Sequence, residues 1–76
     1  MSGRPLKHSL TLKGHRTSVS LEAAFWDAFR SLATSQGKTL NALAAEVDAG
    51  RQSDEGLASA IRVFVLRHLQ KSQASP

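Results

Sequence analysis

Cysteine is absent from the chain. That excludes a disulfide framework and any thiolate metal site, so this small domain cannot be stapled covalently. No stretch approaches the ~18–20 consecutive apolar residues of a membrane span. Met1–Leu6 has no apolar run behind its basic residue, so no export signal is expected there. The expected compartment is the cytoplasm, with no membrane partner. The familiar catalytic signatures are also missing: there is no G-x-S-x-G elbow, phosphate-binding glycine loop, G-x-G-x-x-G or H-E-x-x-H. His8, His15 and His68 lack ligand spacing and read as solvent or edge histidines. No catalytic residue, metal or cofactor is expected, and the chain does not read as an enzyme.

Acidic residues are absent from one stretch. Up to Leu21 the chain carries Arg4, Lys7, Lys13 and Arg16 and no acid; the remaining bases and acids balance, so the whole net charge of +4 lies in that quarter. A confined basic stretch is an electrostatic footprint for a polyanion. In all, 76 residues with 41% hydrophobic and 21% charged side chains describe one globular domain. At this size a lone core is marginal, and self-association is the obvious remedy. The expected layout is a flexible terminus over 1–5, one domain over 6–71 and a frayed tail over 72–76.

Leu6–Lys13 alternates, with Leu6, His8, Leu10 and Leu12 on one face and Lys7, Ser9, Thr11 and Lys13 on the other. Arg16–Leu21 alternates again, Thr17, Val19 and Leu21 against Arg16, Ser18 and Ser20. This period of two predicts two strands, each with one wet face. Gly14 punctuates them, with the turn at Lys13-Gly14 or Gly14-His15. Glu22–Gln36 reads as a helix on the stripe Phe25, Trp26, Phe29, Leu32 and Ala33, ended by Gly37. Thr39 caps a second helix ending at Gly50. After a polar connector, in which Asp54 and Glu55 would serve the next helix dipole, a third helix spans about Leu57–Gln70.

That third helix is apolar nearly all round: Leu57, Ala60, Ile61, Val63, Phe64, Val65, Leu66 and Leu69 leave only a thin wet strip. Such a helix must be buried on most sides. Two short helices and a hairpin are too few to surround it, so a second copy of the chain is expected to cover it in an intertwined dimer. A two-stranded β-ribbon also fits the major groove of B-DNA. One Arg16–Leu21 strand from each protomer would bury Val19 and Leu21 and present Arg16, Ser18 and Ser20 outward. Arginine can bond guanine O6 and N7 together, and serine can donate or accept at base edges.

The run Arg16-Thr-Ser-Val-Ser-Leu-Glu22, then Phe25-Trp-Asp-Ala-Phe-Arg-Ser-Leu32, then Gly37-Lys-Thr-Leu-Asn41, resembles a ribbon-helix-helix protein of the MetJ/Arc type. It is closer still to short bacterial ribbon-helix-helix domain proteins with an R-T-S-x-S-L-E strand and an F-W-x-x-[FL] helix. The resemblance covers roughly Leu6 to Gln70. It implies a mostly α fold with short N-terminal β, an intertwined homodimer built on an antiparallel β-ribbon, here with an extra N-terminal strand and a third helix. Arg16, Ser18 and Ser20 would read bases. Free amides before the second helix, at Lys38, Thr39 and Leu40, would hold a DNA phosphate. The extra strand departs from the simple family pattern: either it rides over flanking phosphates using Lys7 and Lys13, or it caps the ribbon and blocks insertion. Phe25, Trp26, Phe29 and Phe64 resemble the family's dimer core, to which periodicity adds Val19, Leu21, Ile61 and Val65.

The function implied is sequence-specific binding of double-stranded DNA by a small bacterial transcriptional regulator, a repressor by type, acting as a homodimer or cooperative assembly. The alternative is an antitoxin-like or scaffold dimer that binds a protein partner on the same fold without DNA. An RNA-binding variant ranks behind both, since no aromatic lies on the predicted wet sheet face to stack bases.

Overall fold

A computed structural model describes residues 3–74. Leu6–Leu12 (β1) and His15–Leu21 (β2) form an antiparallel hairpin, followed by helices Ala23–Ser35 (α1), Leu40–Gly50 (α2) and Leu57–Ala74 (α3). The turn lies at Lys13-Gly14, where both residues have positive φ, 51° and 81°. A two-residue turn with φ positive at both positions matches the right-handed twist of the flanking strands. Leu12 therefore faces His15, Leu10 faces Thr17 and Leu6 faces Leu21. That register puts the apolar sides of both strands on one face.

Three helices cover that face in part. Leu10, Val19 and Leu21 join Phe29 and Ala33 of α1, Leu43, Ala44 and Val47 of α2, and Ala60, Ile61 and Val65 of α3 in one buried cluster. No side chain in this core is polar or charged among the described residues. Phe64 meets Phe29 edge to face, ring centres 6.0 Å apart, a favourable aromatic geometry. The helix termini follow the expected chemistry. Thr39 Oγ1 accepts from Ala42 N at 3.0 Å, and Gly37, at φ +67°, lets the Lys38 amide fold back onto Ala33 O.

Several expectations need correction. The α3 helix does not fray after Lys71 but continues to Ala74, because Lys, Ser, Gln and Ala carry no helix breaker and Lys71 suits the negative end of the helix. Residues 75–76 of the expected tail, and 1–2 of the expected flexible terminus, lie outside the described residues. The inner face of α3 is covered by the chain's own elements at Ile61 and Val65, whereas Val63, Leu66 and Leu69 stay exposed. The Glu55 carboxylate also accepts from Gln52 N at 3.3 Å, while its carbonyl accepts from Arg51, so Glu55 closes the connector on itself. His8 is no solvent histidine: it stacks on Trp26 at 4.0 Å and 8°, with Nε2 buried and unbonded.

Lys13 is the one described non-glycine residue with positive φ, a conformation costing ~1–2 kcal/mol for most L-residues and less for asparagine. Lys13→Asn is therefore expected to raise stability by about 1 kcal/mol, read as a higher urea midpoint with unchanged slope. A lower midpoint would mean the turn is not held as described.

Candidate functional site

The two faces of the hairpin differ sharply. Lys7, Ser9, Thr11, Arg16, Ser18 and Ser20 lie on the outer face, with Lys13 in the turn at its tip, and all are exposed. No carboxylate shares that face, so its three cations stand among hydroxyls without a neutralising neighbour on the sheet. The alternation of the two strands places these side chains together, and the turn fixes their cross-strand partners: Lys7 opposite Ser20, Ser9 opposite Ser18, Thr11 opposite Arg16.

The edges of the hairpin differ as well. Thr11 N donates to Asn41 Oδ1 at 3.1 Å, so the Thr11 amide points away from β2 and towards α2. In an antiparallel pair, residues alternate between exchanging both backbone bonds and pointing both groups outward. Thr11–Arg16 is thus an outward-pointing pair, and so are Ser9–Ser18 and Lys7–Ser20. On β1 the turn end of this outer edge runs beside α2, where Asn41 engages the Thr11 amide. On β2 the outward N–H and C=O groups of Arg16, Ser18 and Ser20 form an open edge, the exposed pairing template of an unpartnered strand.

The inner face of β2 is incompletely covered. Val19 and Leu21 are buried, yet His15 and Thr17, on the same side, are exposed. Farther off, Val63, Leu66 and Leu69 leave α3 about half exposed. The eight residues expected to form a shared core are placed as follows: Val19, Leu21, Phe29, Ile61 and Val65 are buried within one chain, and Phe25, Trp26 and Phe64 are half-buried against them. The apolar surface that remains uncovered is a different set, the outer stripe of α3 with Leu6 at 49%.

The α1–α2 turn lies apart from the sheet face in sequence but carries its own donors. Thr39 spends its hydroxyl on Ala42 N, and the amide of Lys38 is spent on Ala33 O. The amides of Leu40 and Asn41, at the first turn of α2, precede any intrahelical partner and are the donors a helix start offers. Lys38 Nζ pairs with Glu46 at 2.8 Å, an exposed pair of the kind worth little and readily exchanged for another anion. Leu40 packs its side chain against the core, so its contribution to a ligand would be its backbone. Sequence reasoning missed Asn41 as the cap of β1; its only sequence signal was a polar residue one position after the start of a capped helix.

One clamp fixes the end of β2. Glu22, the N-cap of α1, accepts from Arg62 Nε at 2.9 Å and Nη2 at 3.2 Å, and the Arg62 guanidinium lies 5.8 Å from the centre of Phe25. A two-pronged arginine–carboxylate pair holds geometry as well as charge. It ties the strand–helix junction to α3. The Arg62 hydrogen bonds, followed by one from the backbone at Glu22 itself, hold the Glu22 carboxyl below the ordinary carboxylate range.

A family model described as "Ribbon-helix-helix domain" matches residues 5–69, most of the chain. Searches of curated proteins and of solved structures return no match.

A carboxyl depressed by folding stabilises the folded state above its unfolded pKa, near ~4.3, and that contribution is lost as pH falls through the folded value. The urea midpoint of the wild type should therefore exceed that of Glu22→Gln at pH 7, and the gap should close on acidification below about pH 4. A gap that stays constant down to pH 2 would contradict the clamp.

Proposed function

The chain belongs to the ribbon-helix-helix domain family, whose members are generally DNA-binding regulators or antitoxins, and on that premise we propose that it is a homodimeric, sequence-specific binder of double-stranded DNA that regulates transcription. The observation that carries this reading is the outer face of the hairpin: cations and hydroxyls, all exposed, with no carboxylate among them. Cations on this face would neutralise phosphates, which supplies affinity. Hydrogen bonds to base edges supply choice of sequence.

The open edge of β2 supports the homodimer. Pairing with the same strand of a second copy would satisfy the outward groups of Arg16, Ser18 and Ser20 and bring new cover to His15 and Thr17. The exposed Val63, Leu66 and Leu69 of α3 offer that copy an apolar contact. In the resulting ribbon Arg16, Ser18 and Ser20 enter the major groove and read bases. A phosphate beside the groove is bound at the start of α2 by the Leu40 amide, with Thr39 positioned by its cap and Lys38 adding charge once it leaves Glu46. Binding of a phosphate at a helix N-terminus uses the unsatisfied amides and the positive end of the dipole together.

The second reading, a protein-interaction module of the antitoxin kind, draws on the same α3 stripe, which a foreign partner could cover instead of a second copy. Arginine and lysine substitutions separate the two. On an operator selected from random duplexes, Arg16→Ala should cost about 1–3 kcal/mol and relax the preference at one base pair of each half-site. Lys38→Ala should weaken all duplexes alike and reduce the slope of log affinity against log salt by about 1 per site. If both variants bind every duplex as the wild type does, the ribbon is not the reading surface.

A further inference from the structure

The hairpin adds a strand beside the ribbon, and the backbone of β2 decides where that strand lies in a dimer. This step rests on the β2-to-β2 dimer proposed above. Side chains on facing strands must keep to the same face, so a two-fold axis can pass at Thr17, Ser18 or Val19. With the axis at Ser18, Arg16 meets the partner's Ser20 and Ser18 meets the partner's Ser18, and every outward backbone group of β2 is used. An axis at Thr17 sets Ser20 against the partner's Gly14, which has φ +81° and lies in the turn. An axis at Val19 sets Arg16 against the partner's Glu22, whose carbonyl already accepts from Trp26 N at 3.0 Å. Only the axis at Ser18 leaves no strand residue unpaired.

This axis orders the outer face in rows. One row runs Ser9, Ser18, the partner's Ser18, the partner's Ser9. The rows on either side run Thr11, Arg16, the partner's Ser20, the partner's Lys7. Strands lie ~4.8 Å apart, so the two β2 strands span ~5 Å and the two β1 strands ~14 Å. A major groove ~12 Å wide admits the inner pair and leaves the outer pair over its borders. The side chains follow the same division: Lys7 is on β1 and Lys13 in the turn that follows it, whereas the arginine is on β2. Lysine, a point charge on a flexible stem, suits phosphate, whereas the arginine fork suits guanine.

We infer that β1 and the turn after it form a phosphate-binding rail: with the dimer axis at Ser18, Lys7 and Thr11 of each β1 and Lys13 of each turn bind the backbone phosphates bordering the major groove that the paired β2 strands enter. Each protomer then neutralises two phosphates through this strand and its turn, and the added strand widens the site without reading sequence.

The absence of cysteine makes the axis directly testable. Paired residues on an antiparallel two-fold have Cα atoms ~5.5 Å apart, within disulfide reach. Ser18→Cys should therefore oxidise to a cross-linked dimer by itself. Arg16→Cys and Ser20→Cys, each ~14 Å from its own copy, should link only when mixed with one another. Linking of a Ser18→Cys and Ser20→Cys mixture, or of an Arg16→Cys and Ser18→Cys mixture, in place of Ser18→Cys alone would overturn the axis while keeping the ribbon dimer. A dimer by sedimentation that links in no combination would overturn both. For the rail, the Lys7→Gln/Lys13→Asn double variant, with asparagine tolerating the turn, should lower the salt slope by about 3–4 per dimer on the wild-type operator and select the same sequence. An unchanged slope, or a changed preferred sequence, would overturn the rail and leave the readout by β2 intact. Wild-type protein that binds no duplex would end the proposed function and the rail with it.

Discussion

Everything specific to this molecule depends on the register of one hairpin. A two-residue turn at Lys13-Gly14 sets Leu12 against His15, and from there each strand residue is committed both to a face and to an edge. The face decides what can touch a polyanion and what must be buried. The edge decides which backbone groups the hairpin satisfies internally and which it offers to something else. A slip of one residue would move the lysines and Arg16 inward and the leucines outward. The left-handed conformation at Lys13, unfavourable for that residue, persists at the tip of the charged face, where backbone strain and function commonly coincide.

The helices serve this hairpin in two ways. Their apolar stripes meet its inner face to form a core that one chain completes by itself, with Leu21, Phe29 and Ile61 wholly buried. They also treat its two edges unequally. Asn41 of α2 caps the β1 edge, whereas the β2 edge, whose end is held to α3 by the Glu22–Arg62 pair, stays open. One edge thus has its Thr11 amide engaged by a helix side chain, while the β2 edge has no such partner among the described residues, a difference of the kind by which proteins limit edge-to-edge association. The local charge follows suit, with the acids confined to the Glu22 cap, the helices and the connector while the sheet face keeps only cations.

Much of this could be read from the residues alone, because the signals are local. Periods of two and of three to four gave the strands and helices, Gly14 and Gly37 marked the chain reversals, and Thr39 marked the α2 cap. The exposed outer face was legible for the same reason, since Lys7, Arg16 and Ser18 follow from alternation. What could not be read was tertiary. The Asn41–Thr11 bond joins residues 30 apart, and nothing local marks either partner. His8 shares its alternation with Leu6, Leu10 and Leu12, a sign that it faces inward, but its stacking on Trp26 depends on how α1 crosses the sheet. The Lys38 amide is lost to Ala33 because a positive-φ glycine turns the chain back, and which part of the apolar α3 surface the chain covers itself, Ile61 and Val65 but not Val63, Leu66 and Leu69, depends on how the other elements pack.

The central claim is that the open edge of β2 is where two copies of the chain join. Residue-resolved amide hydrogen exchange tests it most directly, taken at concentrations above and below the dimer transition seen by sedimentation. The amides of Arg16, Ser18 and Ser20 should be protected in the dimer and exchange far faster in the monomer, while that of Thr11, held by Asn41, should be slowed in both. Equal, fast exchange of the Arg16, Ser18 and Ser20 amides in a sample that is demonstrably dimeric would place the interface elsewhere and contradict the account.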